Sequence, residues 1–172
     1  ADGRGCTMAA GGDPVAAFAA SLNQADCRIG NLEVPVATSG KPHASKIVTF
    51  RADPRVLSVL HGRFDAVSLA NNHSGDYGHD AFVETMRHLA NAGIAYFGGG
   101  RNLAEAHKPL WIERKGLKIA VLGYNEFKPR AFEAGANWPG VAWSQDDLVI
   151  PDIRAAKAAG ADLVIPFMHW GW

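Results

Sequence analysis

A chain of 172 residues is long enough to bury about two-thirds of its unfolded surface in one core, so a single domain over 1–172 is the simplest organisation. With 48% apolar and 20% charged residues it reads as a soluble globular α/β chain rather than a disordered or fibrous one. Its 17 Lys and Arg equal its 17 Asp and Glu, so the basic excess of a nucleic-acid binder is missing; nor does any stretch reach the roughly 20 apolar residues of a membrane span.

In chain order, Ala1 to Gly12 carries no basic segment followed by an apolar run, which argues against a leader peptide there. Cys6 and Cys27 are too few for a disulfide scaffold and form no Cys-x-x-Cys pair, so their pairing and the redox compartment stay open. Asp13-Pro14 opens a helix, the carboxylate as N-cap and the proline at the first helical position, with Val15 to Leu22 as its apolar run. A strand is expected at Asp26 to Leu32. Asp53-Pro54 repeats the helix opening for Arg55 to Leu60, stopped by Gly62. Phe64 to Ala70 is a largely apolar run of strand length.

From Gly78, the residues Phe82, Met86, Leu89 and Gly93 recur at helical spacing, with Asp80, Glu84, Arg87, His88 and Asn91 opposite. This predicts a surface helix ended by Gly93. Ile94 to Phe97 is a short strand leading into Gly98-Gly99-Gly100, and Leu103 to His107 a turn or two of helix. Leu110 to Arg114 and Leu117 to Tyr124 form a hairpin through Lys115-Gly116. Asn125 to Trp143 has no period and reads as a long loop, a class that is usually functional or disordered. Pro151 to Gly160 is an alanine-rich helix, and Asp162 to Phe167 a buried strand delivering His169. The chain does not begin with Met and runs out in an apolar strand, so it reads as a fragment. Alternating strands and helices imply a mostly parallel sheet, with ligands gathering beyond the carboxyl ends of its strands.

Three predicted strand ends carry polar groups at the same relative place: Asn31 and Glu33, then Asn71-Asn72-His73, then His169. If their strands are parallel neighbours, these side chains meet at one sheet edge. A carboxylate, an amide oxygen and imidazoles together suit a borderline divalent metal. Each residue taken singly has a plainer reading: Asn71 and Asn72 as turn residues, His73 as a satisfied loop histidine, Asp76 as a turn cap, Glu33 as a solvated strand end, His169 as a packed core histidine. Their joint position at apolar strand ends weighs against those readings. Gly98-Gly99-Gly100 lacks the Lys and Ser or Thr of a phosphate-binding loop and reads as a turn. His43, His61, His79, His88 and His107 have no partner at ligand spacing and read as surface residues. Ser74 lacks the glycine frame of a nucleophile elbow.

The segments Asn31 to Pro35, Phe64 to Gly78, Ala92-Gly93-Ile94 with Gly98 to Ala106, and His169-Trp170-Gly171 together resemble the poly-γ-glutamate capsule biosynthesis (CapA) family. The resemblance implies the four-layer α-β-β-α sandwich of the calcineurin-like metallophosphoesterases, with two divalent metal ions (Mn, Fe or Zn) at the strand ends. By position it implies that Glu33, Asn72 and His169 are metal ligands. His73 becomes a general acid oriented by Asp76, and Asn31 and Asn71 contact substrate. Two features of the family are not matched: an opening Gly-Asp pair, for which only Ala1 to Gly5 stands near the place, and a histidine-rich loop beyond Gly171.

Three functions follow as alternatives. The first is a metal-dependent hydrolase or transferase acting on a phosphoester, a peptide or an amide-linked acidic polymer. The second is a metal-independent acid/base enzyme, such as a peptide epimerase. The third is a non-catalytic, polymer-binding subunit that works with other capsule-synthesis proteins. Nucleic acid is not an expected partner, and attachment to the cell envelope would have to come from flanking residues.

Overall fold

A computed structural model describes residues 13, 15–128 and 130–171. Asp2, Cys6 and Pro14 lie outside them, and with Cys6 the question of its pairing to Cys27. Asp13 does cap the first helical turn, its Oδ1 accepting the Val15 N–H at 3.0 Å; a 3-10 turn at Ala16–Phe18 passes into α1, Ala19–Gln24. The next elements are β1 (Ile29–Asn31), a second 3-10 turn (Pro54–Val56) running into α2 (Leu57–Leu60), β2 (Ala66–Ser68), α3 (Gly78–Asn91), β3 (Ala95–Phe97), β4 (Gly99–Gly100) and α4 (Leu103–Ala106). They are followed by β5 (Leu110–Arg114), β6 (Leu117–Asn125), β7 (Gly140–Val141), α5 (Asp146–Ala158) and β8 (Leu163–His169).

The strands do not form one sheet. β1, β2 and β3 are parallel neighbours, with Ile29 opposite Ala66 and Ala66 opposite Ala95. β5, β6 and β8 make a second sheet in which β5 runs antiparallel and β8 parallel to β6, and β4 pairs with β7 in a short third. The single sheet that the alternation of strands and helices implies is therefore split, where the family resemblance implies two sheets, and β8 belongs with β6 rather than with β1 and β2. Alternation decides what each face meets. Val67 and Leu69 pack with Phe82, Met86 and Leu89 of α3. Ala66 and Phe97, on the other face, pack with Val121 of β6; the Phe97 and Phe167 rings meet edge to face at 5.7 Å. Ala120 packs with Ala156 of α5.

Several local expectations shift for physical reasons. α5 starts at Asp146, and Pro151 sits inside it. Asp146 and Asp147 in the first turn complement the positive end of the helix dipole, so the proline does not mark the start. The run Asn125 to Trp143 is pinned rather than free. β7 lies within it, Asn125 bridges Trp143, and Val141, Ala142 and Trp143 are buried. The three glycines are a backbone-approach device. Gly98 has φ +72°, and a Cβ there would stand 2.7 Å from the Ala70 Cβ and 3.0 Å from the Gly123 Cα; only glycine lets these chains come so close. Among the described residues no helix is long and apolar enough to cross a membrane.

Candidate active site

β2 delivers its polar side chains at the end of a buried apolar run, whereas β1 and β8 are only partly covered; β8, expected as a buried strand, leaves Leu163 and Ile165 exposed. Leu69 and Ala70 are enclosed, so the chain can turn only after them, and Asn71 holds that turn. The Asn71 Oδ1 accepts the His73 N–H at 3.1 Å and the Ser74 hydroxyl at 3.0 Å. Its Nδ2 donates to the Leu32 carbonyl at 2.9 Å and to Asn31 Oδ1 at 3.1 Å. One buried amide thus ties the end of β2 to the end of β1. Asn31 Nδ2 in turn donates to Glu33 Oε2 at 3.0 Å and lies 3.4 Å from His169 Nδ1. His169, from the second sheet, places its Nε2 2.8 Å from Asn72 Oδ1 and 3.7 Å from Glu33 Oε1.

The structure therefore brings Asn31, Glu33, Asn71, Asn72, His73, Asp76 and His169 into one connected cluster, though they come from two sheets rather than one edge. His73 Nδ1 lies 2.8 Å from Asp76 Oδ2, an arrangement that fixes the imidazole tautomer and leaves Nε2 as the free ring nitrogen. Asp76 is fully buried and is held from three further sides. Lys46 Nζ donates to its Oδ1 at 2.5 Å, Phe50 N to its Oδ2 at 2.7 Å, and its carbonyl accepts the His43 N–H at 2.8 Å. Lys46 Nζ also donates to the Asn72 carbonyl. The Phe50 ring leans on His73, centroids 4.6 Å apart.

A cavity of about 470 Å³ opens over this cluster, within the size range of small-molecule sites. Asn71, Asn72, His73 and Asn125 line its polar part; Ile47, Val48, Phe127 and Phe132 line its apolar walls. Two of the residues here are not among the candidates drawn from the sequence. Lys46 lies in an aperiodic stretch 26 positions before Asn72, with no local signal of its partner. Asn125 does carry a signal: it ends an apolar strand as Asn71 and His169 do, and the same strand-end argument finds it. Of the histidines expected at the surface, His43 is exposed and also lines the cavity, whereas the His107 side chain is largely covered, its Nδ1 2.7 Å from Asp152 Oδ2.

Among the described residues no three His, Cys, Asp or Glu side chains converge as a metal-holding group. Glu33 and His169 contribute two such side chains, and Asn72 adds an amide oxygen. Donors about 2.1 Å from a shared ion stand roughly 3 to 4 Å apart, so the 2.8 and 3.7 Å separations at His169 Nε2 are compatible with these three meeting one ion.

A family described as bacterial capsule synthesis protein PGA_cap matches residues 7–172. The chain belongs to this family. The match spans the whole cluster, from Asn31 to His169, and bears out the resemblance read from the motifs. The PGA biosynthesis protein CapA of Bacillus subtilis (strain 168) is 32% identical over 145 residues, 83% of this chain and 38% of that protein. The capsule biosynthesis protein CapA of Bacillus anthracis is 31% identical over 161 residues, 87% of this chain and 38% of that protein. A probable polyglutamine synthesis accessory protein of Mycobacterium tuberculosis (strain CDC 1551 / Oshkosh) is 31% identical over 153 residues, 82% of this chain and 40% of that protein. The chain thus spans about two-fifths of the length of these relatives.

Proposed function

We propose that this PGA_cap chain takes part in capsule poly-γ-glutamate synthesis through a metal-dependent site that hydrolyses or transfers an amide-linked acidic polymer or a phosphoester. The observation that carries the reading is the convergence of Glu33, Asn72 and His169 from three strand ends beside a histidine oriented by a buried carboxylate. The names of the relatives support the polymer; the donor set supports the metal. Glu33, Asn72 Oδ1 and His169 Nε2 would hold one divalent ion, and a second ion needs donors beyond these three. Such an ion supplies a polarised scissile group and a bound water with its pKa lowered to about 7. The protein's own part is proton transfer and orientation. His73 keeps Nδ1 on Asp76 and carries the proton for the leaving group on Nε2, facing the cavity. Asn71 anchors the loop that bears both His73 and Asn72.

The finer architecture belongs to the same proposal: a four-layer α-β-β-α sandwich of the metallophosphoesterase type. It is supported by the three apolar clusters, α3 against the first sheet, the two sheets against each other, and the second sheet against α5.

The test is metal content and turnover measured together. The purified protein is expected to bind a transition metal that His169→Ala loses. His73→Ala should retain the metal yet hydrolyse γ-linked oligoglutamate or an activated phosphodiester about 10²- to 10⁴-fold more slowly. A protein that binds no metal, with His73→Ala turning over like the wild type, sinks the reading.

A further inference from the structure

Asn125 has one half of its amide committed and the other open. It closes β6, is only 4% exposed and lines the cavity over the cluster. Its Oδ1 accepts the Phe127 N–H at 3.1 Å. A backbone N–H can only donate, so the oxygen must face Phe127 and the NH₂ group must turn away from it. Among the described residues, none accepts a hydrogen bond from that NH₂. Among the described residues the buried side-chain nitrogens without a partner are Arg63 Nη1 and His107 Nε2, so the Asn125 NH₂ is accessible from the cavity, where water or a ligand oxygen accepts from it. The backbone leaves it little freedom to turn elsewhere. Asn125 N donates to the Ala142 carbonyl at 2.9 Å, its carbonyl accepts the Ser144 N–H at 3.0 Å, and it stands opposite His169 in the β6–β8 register.

The turn that Asn125 caps presents Lys128. This side chain is exposed and stands on the wall of two cavities, the one over the cluster and a neighbouring one of about 540 Å³ also lined by Glu126, Trp170 and Gly171. The other lysine of the first cavity, Lys46, is occupied by Asp76 and the Asn72 carbonyl. Among the described residues Lys128 is thus the lysine left available where the cavities meet, and Glu126 beyond it disfavours a second carboxylate on the same wall.

We propose that the turn from Asn125 to Lys128 is the recognition subsite for an extended acidic polyamide. Asn125 Nδ2–H donates to a backbone carbonyl oxygen of the chain beside His73, and Lys128 Nζ pairs with a free carboxylate of the adjoining unit as the chain passes from the first cavity to the second. This deepens the reading of the site as one acting on an acidic polymer and rests on it for the substrate class. It requires no metal and no turnover.

The experiment is calorimetric titration of the metal-stripped protein with γ-linked hexaglutamate, and with the same oligomer carrying primary amides in place of its side carboxylates. Asn125→Asp keeps an oxygen for Phe127 N–H but replaces the donor. It is expected to weaken both probes by about 10- to 100-fold with an unchanged thermal melt. Lys128→Gln, at an exposed position, should weaken the charged probe about 3- to 5-fold at low salt and leave the neutral one untouched. The proposal is overturned if the wild type does not bind hexaglutamate, if both variants bind like the wild type, or if Lys128→Gln weakens both probes equally. Binding that is lost in Asn125→Asp, in a protein whose metal-loaded form turns nothing over, refutes the catalytic reading and leaves this one standing.

Discussion

Asp76 is enclosed on every side, and its carboxylate is met by Lys46 Nζ at 2.5 Å, Phe50 N at 2.7 Å and His73 Nδ1 at 2.8 Å. Asp76→Asn keeps the shape and removes the charge. One amide oxygen can still accept, but the new NH₂ group must face a donor, either the Lys46 ammonium or the imidazole. Breaking an enclosed ion pair from one side typically costs about 3–5 kcal/mol. Because the Lys46 side chain keeps 26% of its exposure, the ammonium can recover some hydration, which places the loss near the lower end, about 3 kcal/mol. That is a large fraction of a total stability of about 5–15 kcal/mol, and at about 2–4 °C per kcal/mol it lowers the melting midpoint by about 6–12 °C. The assay is urea unfolding followed by far-ultraviolet circular dichroism, for Asp76→Asn, Lys46→Met and the double variant. Residues in contact couple by about 0.5–3 kcal/mol, and this pair should reach at least about 1.5 kcal/mol because each single variant strands its partner. A loss under about 1 kcal/mol for Asp76→Asn, or additive single effects, would refute the role given to the pair.

Two further outcomes follow from the same packing. Glu84, with its side chain 10% exposed, accepts from the Ser39 hydroxyl, and from Thr38 N, Ser39 N and Thr38 Oγ1 at 3.0, 3.1 and 2.9 Å. These donors, the Ser39 hydroxyl foremost, hold its carboxyl well below the ordinary glutamate value. The folded state therefore takes up that proton at a lower pH than the unfolded chain. The contribution is full above the ordinary range near 4.5 and is lost as pH falls below it. Urea unfolding at pH 7 and pH 3 should show this loss, and Glu84→Gln should lower stability at pH 7 by about 1–3 kcal/mol and reduce the pH dependence; an unaltered pH dependence in the variant removes Glu84 as its source. Gly98→Ala forces a Cβ into a φ of +72° and to 2.7 Å from the Ala70 Cβ. It should cost about 2–4 kcal/mol in the same unfolding assay, and a neutral result would contradict the close approach of β4 to the end of β2.

The helices and strands were largely legible because their signals are local. Asp53 accepts the Arg55 N–H as an N-cap should, and α3 buries Phe82, Met86 and Leu89 at the spacing that predicted it. The hairpin turn at Lys115-Gly116 takes φ values of +51° and +77°, the left-handed pair that suits a two-residue connection. Sheet membership was not legible. Whether β8 pairs with β1 or with β6 depends on partners distant in sequence, and all three strands are short apolar runs ending in a polar group. The candidate site was readable in its residues because a polar side chain at the end of an apolar run is a local pattern, although of these strands β2 is buried and β8 is not. Lys46 was not, since its only distinguishing feature is a contact made across 30 positions with Asp76.

The division into two sheets bears directly on how the cluster is held. Asn31, Glu33 and the Asn71–Asp76 loop belong to the first sheet, while Asn125 and His169 belong to the second. The distance from His169 Nε2 to Asn72 Oδ1 is therefore set by how the two sheets pack through Ala66, Phe97, Val121 and Phe167, and by the β6–β8 register, in which a one-residue slip would turn His169 to the opposite face. A core packed at the density of an organic crystal transmits small volume changes as displacements. The Phe97–Phe167 contact between the sheets, remote in sequence from Glu33 and Asn72, is consequently one of the contacts that set how far the His169 imidazole stands from the Asn72 amide oxygen and the Glu33 carboxylate.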